Sequence, residues 1–275
     1  ALADRLYRMD SRGELVRDEA ALPRPAGGEA PTGAVAAGDL NGDGWPDLFV
    51  GVRLAPWNPG RGSGYGEPVG GRILINDGTG RFADRPAELA PGLEASRLGT
   101  AGVTGAQWAD LDGDGRPDLV VAGEWMPLKI FWNRKGRLEE SPGGTTGLEG
   151  SSGWWRTLQV ADLDGDGHPD LIAGNHGLNS RFRAGPEEPV QLWTGDLNRD
   201  GQPEHLFGVR TLGKGPYPVA LRHNLLAALP HMRNYTSSYE EYAGRTIPEL
   251  FPADNLERMT RYEARQMASL VAWNN

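Results

Sequence analysis

Four acidic loops of one nine-residue design recur along this chain. The first runs Asp39-Leu-Asn41-Gly-Asp43-Gly-Trp45-Pro-Asp47, and the second Asp110-Leu-Asp112-Gly-Asp114-Gly-Arg116-Pro-Asp118. The third is Asp162-Leu-Asp164-Gly-Asp166-Gly-His168-Pro-Asp170, and the fourth Asp196-Leu-Asn198-Arg-Asp200-Gly-Gln202-Pro-Glu204. Oxygen side chains fall at positions 1, 3, 5 and 9 every time. Hard oxygen donors at that spacing wrap one centre and suit Ca²⁺, whose bonds to oxygen are about 2.3–2.6 Å long. Three to four calcium ions are therefore the implied cofactors.

The remaining loop positions have physical roles too. Position 6 is always Gly (Gly44, Gly115, Gly167, Gly201), as a turn at φ > 0 requires. Position 8 is always Pro, which keeps residue 7 out of the helical conformation. That aims the carbonyl of Trp45, Arg116, His168 or Gln202 at the metal and leaves its side chain free to vary. A helix–loop–helix calcium hand is excluded, because position 12 is Val50, Val121, Ala173 or Phe207 where such a hand needs a bidentate Glu. Short apolar runs flank each loop, as in Leu48-Phe-Val50 and Leu119-Val-Val121, so the unit is strand, calcium turn, strand. Asp, Asn and Gly favour ordinary turns as well, but four copies of one grammar favour the metal.

Composition supports an all-β chain. Of 275 residues, 40 are Gly and 21 Pro, which calls for many turns. The net charge is −9, and four divalent cations would cancel nearly all of it. No basic stripe marks a nucleic-acid partner. There is no cysteine, which excludes disulfides and thiolate metal sites. No apolar run approaches a membrane span.

Further strands recur after each loop: Arg72-Ile-Leu-Ile-Asn-Asp-Gly78 before Arg81-Phe82, and Leu128-Lys-Ile-Phe-Trp-Asn133 before Arg137-Leu138. About four antiparallel strands per repeat is the signature of a propeller blade. The expected domain is thus residues 1–275, a β-propeller or part of one. The chain opens and closes in what read as third strands (Arg5–Asp10 and Ser269–Asn275), as expected of a segment of a longer protein. A helical insertion of about 220–265 breaks the pattern near the C-terminus, between the second and third strands of the last blade. Leu221–Leu229 has helical spacing before Pro230, Thr246-Ile-Pro-Glu249 fits a capping box, and Asn255–Ala268 reads as helical for part of its length. Tyr235, Tyr239, Tyr242 and Phe251 read as packing residues rather than a ligand box.

These loops resemble the FG-GAP/VCBS repeats of integrin-α-like propellers, over nearly the whole chain. Gly123-Glu-Trp-Met-Pro127, Gly153-Trp-Trp155, Gly174-Asn-His-Gly-Leu-Asn-Ser180 and Tyr239-Glu-Glu-Tyr-Ala243 are similar to secreted bacterial VCBS-repeat proteins of the ASPIC/UnbV, cartilage acidic protein-like group. The resemblance implies a secreted or cell-surface bacterial protein. The fourth loop departs from the repeat pattern at Arg199 and Glu204.

Motifs for catalysis are missing from the sequence. The five histidines form no His-Glu-x-x-His zinc signature. Gly60-Arg-Gly-Ser-Gly-Tyr-Gly66 matches no phosphate loop, and Ser63 sits in no nucleophile elbow. His176 reads as a structural loop histidine. Of Trp154 and Trp155, either a sugar-stacking platform or packing between blades is open, with at least one packing. Carboxylates held by calcium stay ionised and make poor acids or bases. The leading expectation is an extracellular calcium-binding module for adhesion or assembly, not an enzyme, with a protein or glycan ligand or other chains as partners. A carbohydrate lyase or hydrolase is the second expectation, and a structural subunit of a surface fibre the third.

Overall fold

The computed structural model describes residues 4–24, 30–54, 69–94, 98 and 102–275. The glycine-rich stretch 60–66, with Ser63, lies outside these residues.

A hairpin comes first, β1 (Leu6–Met9) paired with β2 (Leu15–Asp18). The first sheet is a meander in the order β3 (Thr32–Gly38), β4 (Asp47–Val52), β5 (Gly71–Asn76), β6 (Phe82–Asp84). A short helix α1 (Pro86–Leu89) follows. The second sheet repeats the meander with β7 (Gly102–Ala109), β8 (Asp118–Met126), β9 (Lys129–Asn133) and β10 (Leu138–Glu140). Its β8 is also paired by β11 (Gly153–Trp154). The third sheet starts with β12 (Thr157–Ala161) and β13 (Asp170–Gly174).

Here the chain leaves the third sheet. It builds a separate four-stranded sheet from β14 (Val190–Gly195), β15 (Glu204–Thr211), β16 (Lys214–Pro218) and β17 (Thr260–Ala264), in the order β16-β15-β14-β17. Between β16 and β17 lie the helices α2 (Arg222–Ala228), α3 (Tyr239–Tyr242), α4 (Ile247–Leu250) and α5 (Ala253–Leu256). Only then does β18 (Leu270–Ala272) return to pair with β13, Ala173 facing Leu270. The C-terminal run is thus the third strand of the third sheet, and residues 175–269 are inserted ahead of it. The helices fall where the sequence placed them, and Thr246 with Glu249 forms the capping box. Residues 260–264, inside the run read as partly helical, are strand.

Strand periodicity explains how the sheets stack. All nine residues of β8 are buried. Successive side chains of a strand point to opposite faces. Leu119 and Val121 therefore join Phe49, Ile73 and Phe131 in one core, while Val120 and Ala122 join Trp155, Leu171 and Ala173 in another. The second sheet is sandwiched between the first and third. The approach is close at Gly38, where an added Cβ would stand 2.5 Å from Trp108 Cγ. β14 divides its side chains in the same way. Trp193 packs under the helices with Leu225, Ile247 and Leu250, while Val190 and Leu192 pack against Trp125, Trp154 and Tyr262. Trp155 is fully buried between sheets and its indole Nε1 donates to Ser151 O at 3.0 Å. Of the four aromatics expected to pack, Tyr242 and Phe251 are buried, while Tyr235 and Tyr239 are exposed. The described residues form antiparallel sheets with few helices and no closed ring, and none of the helices is long and apolar enough to cross a membrane.

Candidate metal centre

Each acidic loop joins the first two strands of a sheet: β3–β4, β7–β8, β12–β13 and β14–β15. The position-1 aspartate organises the turn. Asp39 Oδ1 accepts from Gly42 N at 2.8 Å and its Oδ2 from Gly44 N at 2.8 Å. Asp110, Asp162 and Asp196 accept the position-6 glycine N–H at 2.8, 3.0 and 2.9 Å. Those glycines have φ between +82° and +91°, as the sequence required. Position 5 accepts from the backbone of position 7: Asp43 from Trp45 N at 2.9 Å, Asp114 from Arg116 N at 3.0 Å, Asp166 from His168 N at 2.8 Å and Asp200 from Gln202 N at 2.8 Å. At position 3, Asn41 and Asn198 each donate through Nδ2 to the position-5 carboxylate at 2.9 Å.

Position 9 does more than its sequence role required. Asp47, Asp118 and Asp170 are buried. Each spends one oxygen on its own loop, accepting from Leu40, Leu111 and Leu163 N at 3.0, 3.0 and 2.9 Å. The other oxygen accepts from the backbone of an asparagine that ends the third strand, Asn76 and Asn133, or lies two residues past it, Asn274, at 2.9, 2.8 and 2.9 Å. The carboxylate therefore latches the loop to its sheet. Carboxylate oxygens have further lone pairs, so the latch does not bar a metal. Burial raises the Asp47 and Asp118 carboxyls above the ordinary carboxylate range; their backbone donors oppose this, and the loop aspartates add to it.

The latch asparagines went unread in the sequence, although the recurring apolar run ending in Asn carried their signal. Their side chains also tie sheets together. Asn133 Nδ2 donates to Leu40 O of the first loop at 2.9 Å, and Asn274 Nδ2 to Leu111 O of the second at 2.8 Å.

The donor set fits calcium. Oxygens sharing one ion at about 2.4 Å lie at most about 4.8 Å apart. Carboxylate oxygens of Asp110, Asp112 and Asp118 all fall within 4.8 Å of one another, as do those of Asp162, Asp164 and Asp166. In the second loop, guanidinium groups already crowd the acids. Arg134 Nη1 lies 2.6 Å from Asp112 Oδ2, which raises the Arg134 pKa above its ordinary value, and Arg116 pairs with Asp114. Of the position-7 residues, Trp45 is half exposed against Gly78, and His168 and Gln202 are exposed.

The fourth loop is built differently. Position 4 is Gly42, Gly113 and Gly165 at φ from +72° to +81° elsewhere, whereas Arg199 sits at +65° here. Glu204 accepts from Leu197 N at 2.7 Å, and burial raises its carboxyl, with Asp200 and Asp196 adding to the effect.

An FG-GAP-like repeat model matches residues 62–121 and 110–173, and an FG-GAP repeat model matches 32–67. The chain is an integrin-like FG-GAP repeat protein. Its first three loops lie inside the matched stretches and the fourth lies beyond them. Integrin alpha-3 of Cricetulus griseus is 31% identical over 181 residues, 62% of this chain and 16% of that protein. Phosphatidylinositol-glycan-specific phospholipase D of Bos taurus is 33% identical over 167 residues, 52% of this chain and 18% of that protein. This FG-GAP chain thus spans less than a fifth of either relative's length. Among solved structures, the V. cholerae biofilm matrix protein Bap1 aligns with 67% of this chain and 30% of its own at 21% identity, with a TM-score of 0.32. Rhamnogalacturonan lyase YesW aligns with 65% and 35% at the same identity and TM-score. Both alignments are too loose to argue from.

His176 packs edge-on to Trp154 with ring centroids 5.0 Å apart, a structural contact.

Proposed function

We propose that this chain is part of an extracellular, calcium-stabilised β-propeller that binds or adheres to other molecules and performs no catalysis of its own. The observation that carries this is the repeated loop, whose carboxylates converge with no ion-paired cation among the described residues in the third loop and with crowded arginines in the second. The residues that would hold calcium are the side chains at positions 1, 3, 5 and 9 together with the position-7 carbonyls. The ion would supply charge neutralisation and cross-link the two strands of each loop. Calcium at millimolar concentration outside cells fills even weak oxygen sites. In a cytosol poor in calcium the same aspartates would repel one another. Sheets that share cores on both faces, as the second does, suit blades of one propeller. FG-GAP repeats of integrin type favour a binding or adhesion role, with a protein or glycan ligand at a secreted or surface location.

Calorimetric titration of the calcium-stripped chain tests the reading. Three or four sites filled below millimolar calcium support it, and fewer than two defeat it. A screen for turnover of polysaccharides and phosphodiesters by the calcium-loaded chain tests the second half. Reproducible product formation would replace the binding module with an enzyme.

A further inference from the structure

Between the second sheet and the inserted segment opens a cavity of about 590 Å³, within the range that suits a small organic ligand. None of its lining residues belongs to the four acidic loops. One part of the wall is aromatic. Trp154 meets Phe182 edge-on at 5.0 Å between centroids and Phe207 at 6.5 Å. Phe182 and Phe207 are half buried, so ring surface remains open to a visitor.

The polar part of the wall carries excess positive charge. Glu124 is the one carboxylate on the lining, and its side chain is only 4% exposed. Two guanidinium groups share it: Arg53 Nη2 at 3.1 Å, and Arg156, which pairs with the same Oε1. One carboxylate cannot neutralise both. Arg181 adds a third cation, exposed and stacked 5.1 Å from the Phe182 ring, with no carboxylate partner among the described residues. This concentration of cations stands out in a chain of net charge −9. Clefts with low-dielectric walls focus such a field on an anion.

We propose that this cavity is a binding site for a small organic carboxylate that presents a flat apolar face to the aromatic wall. The carboxylate pairs with Arg156 and Arg181, and the flat face lies on Phe182 and Phe207. With one lining carboxylate, itself committed to two arginines, the cavity lacks the carboxylate pair of glycoside hydrolysis. A sugar acid and an aromatic acid share this chemistry, and the test separates them.

The test is calorimetric and tryptophan-fluorescence titration of the calcium-loaded chain with two matched pairs: methyl glucuronide against methyl glucoside, and phenylacetate against phenylacetamide. At least one acid should bind, with its neutral partner about tenfold weaker, the scale of one lost charge-assisted hydrogen bond. Which acid binds identifies the source of the ligand. Arg181→Gln should weaken binding by a similar factor, and Arg181→Lys should restore part of it, without altering the melting temperature of this exposed position. Equal binding of acid and neutral partner, no binding of any of the four at millimolar concentration, or unchanged affinity in Arg181→Gln would each overturn the proposal. Calcium occupancy measured on the same sample keeps failure here distinct from failure of the metal sites.

Discussion

The first three acidic loops and the fourth share a grammar but not a frame. Loops one to three close onto sheets whose third strand ends in a latch asparagine or meets one two residues past its end, and their position-9 aspartates are buried with both oxygens engaged. The fourth belongs to the inserted sheet. There the third strand, β16, ends in Pro218, and the longer Glu204 does the closing. One loop sequence can therefore serve two structural purposes. In the first two, the turn is also a joint between sheets, and in the third it is latched to its own sheet. In the fourth, it is a local turn.

Calcium removal should show the largest difference. A ligand that binds the native state alone stabilises it by about 2.7 kcal/mol per site at a hundredfold excess over Kd. Chelation should lower the melting temperature of the whole chain, and Asp164→Ala in the third loop should abolish one tight site. Asp196→Ala should remove a weaker one. Equal affinities for the two loops in calorimetry would erase the distinction.

Next in size come the position-9 carboxylates. Asp118→Ala strands two buried N–H groups, of Leu111 and Asn133, and should cost about 3 kcal/mol, at about 1–3 kcal/mol for each stranded group. Glu204→Ala removes the one acceptor we identify at Leu197 N and should cost about 1 kcal/mol. Urea unfolding at fixed calcium measures both, and a reversed order would contradict the latch.

Alkali should act on the inserted block. Tyr242 is buried under the helices, its hydroxyl donates to Ala220 O at 2.5 Å, and burial pushes its pKa up from 10.0 to about 12. The neutral phenol is favoured in the fold. Stability from this group is complete below pH 10 and is lost as pH rises towards 12. Ultraviolet titration of the chain against Tyr242→Phe should show the loss of a late-ionising tyrosine, together with that part of the alkaline destabilisation.

The smallest effect is a gain. Arg199 holds φ +65° where the other loops use glycine. Arg199→Gly relieves a left-handed residue but adds unfolded-state freedom, for a net gain of about 0.5 kcal/mol. The same exchange has no counterpart in the other loops, whose position 4 is already Gly.

What the sequence made legible was local. The loops, their flanking strands and the capped helices follow from spacing within ten residues. Remote pairings left no such mark. Asn274 N reaches Asp170 across 104 positions: the sequence marks Ser269–Asn275 as a third strand but places it in the last blade, whereas it pairs with β13 of the third sheet and the insertion ahead of it starts at residue 175, not near 220. Asn255–Ala268 reads as helical for part of its length, and only its first residues are, in α5; Thr260–Ala264 instead pairs with β14 and buries Tyr262 and Ala264. The cavity is assembled from residues between Glu124 and Asn224 and has no linear motif at all.

The excursion itself leaves and returns at one point. Asn175 N donates to Ser269 Oγ at 3.1 Å, and the strands on either side are hydrogen-bonded neighbours. Strands so paired lie about 4.8 Å apart, so to the third sheet the whole of 175–269 is geometrically equivalent to a tight turn. That makes the junction a mounting point. The load is not loosely hung, however: its Val190, Leu192 and Tyr262 cover Trp125 and Trp154 of the second sheet, so a replacement must offer closely spaced ends and an apolar face of its own. On this geometry the third sheet is a chassis that carries a second folded block between two neighbouring strands.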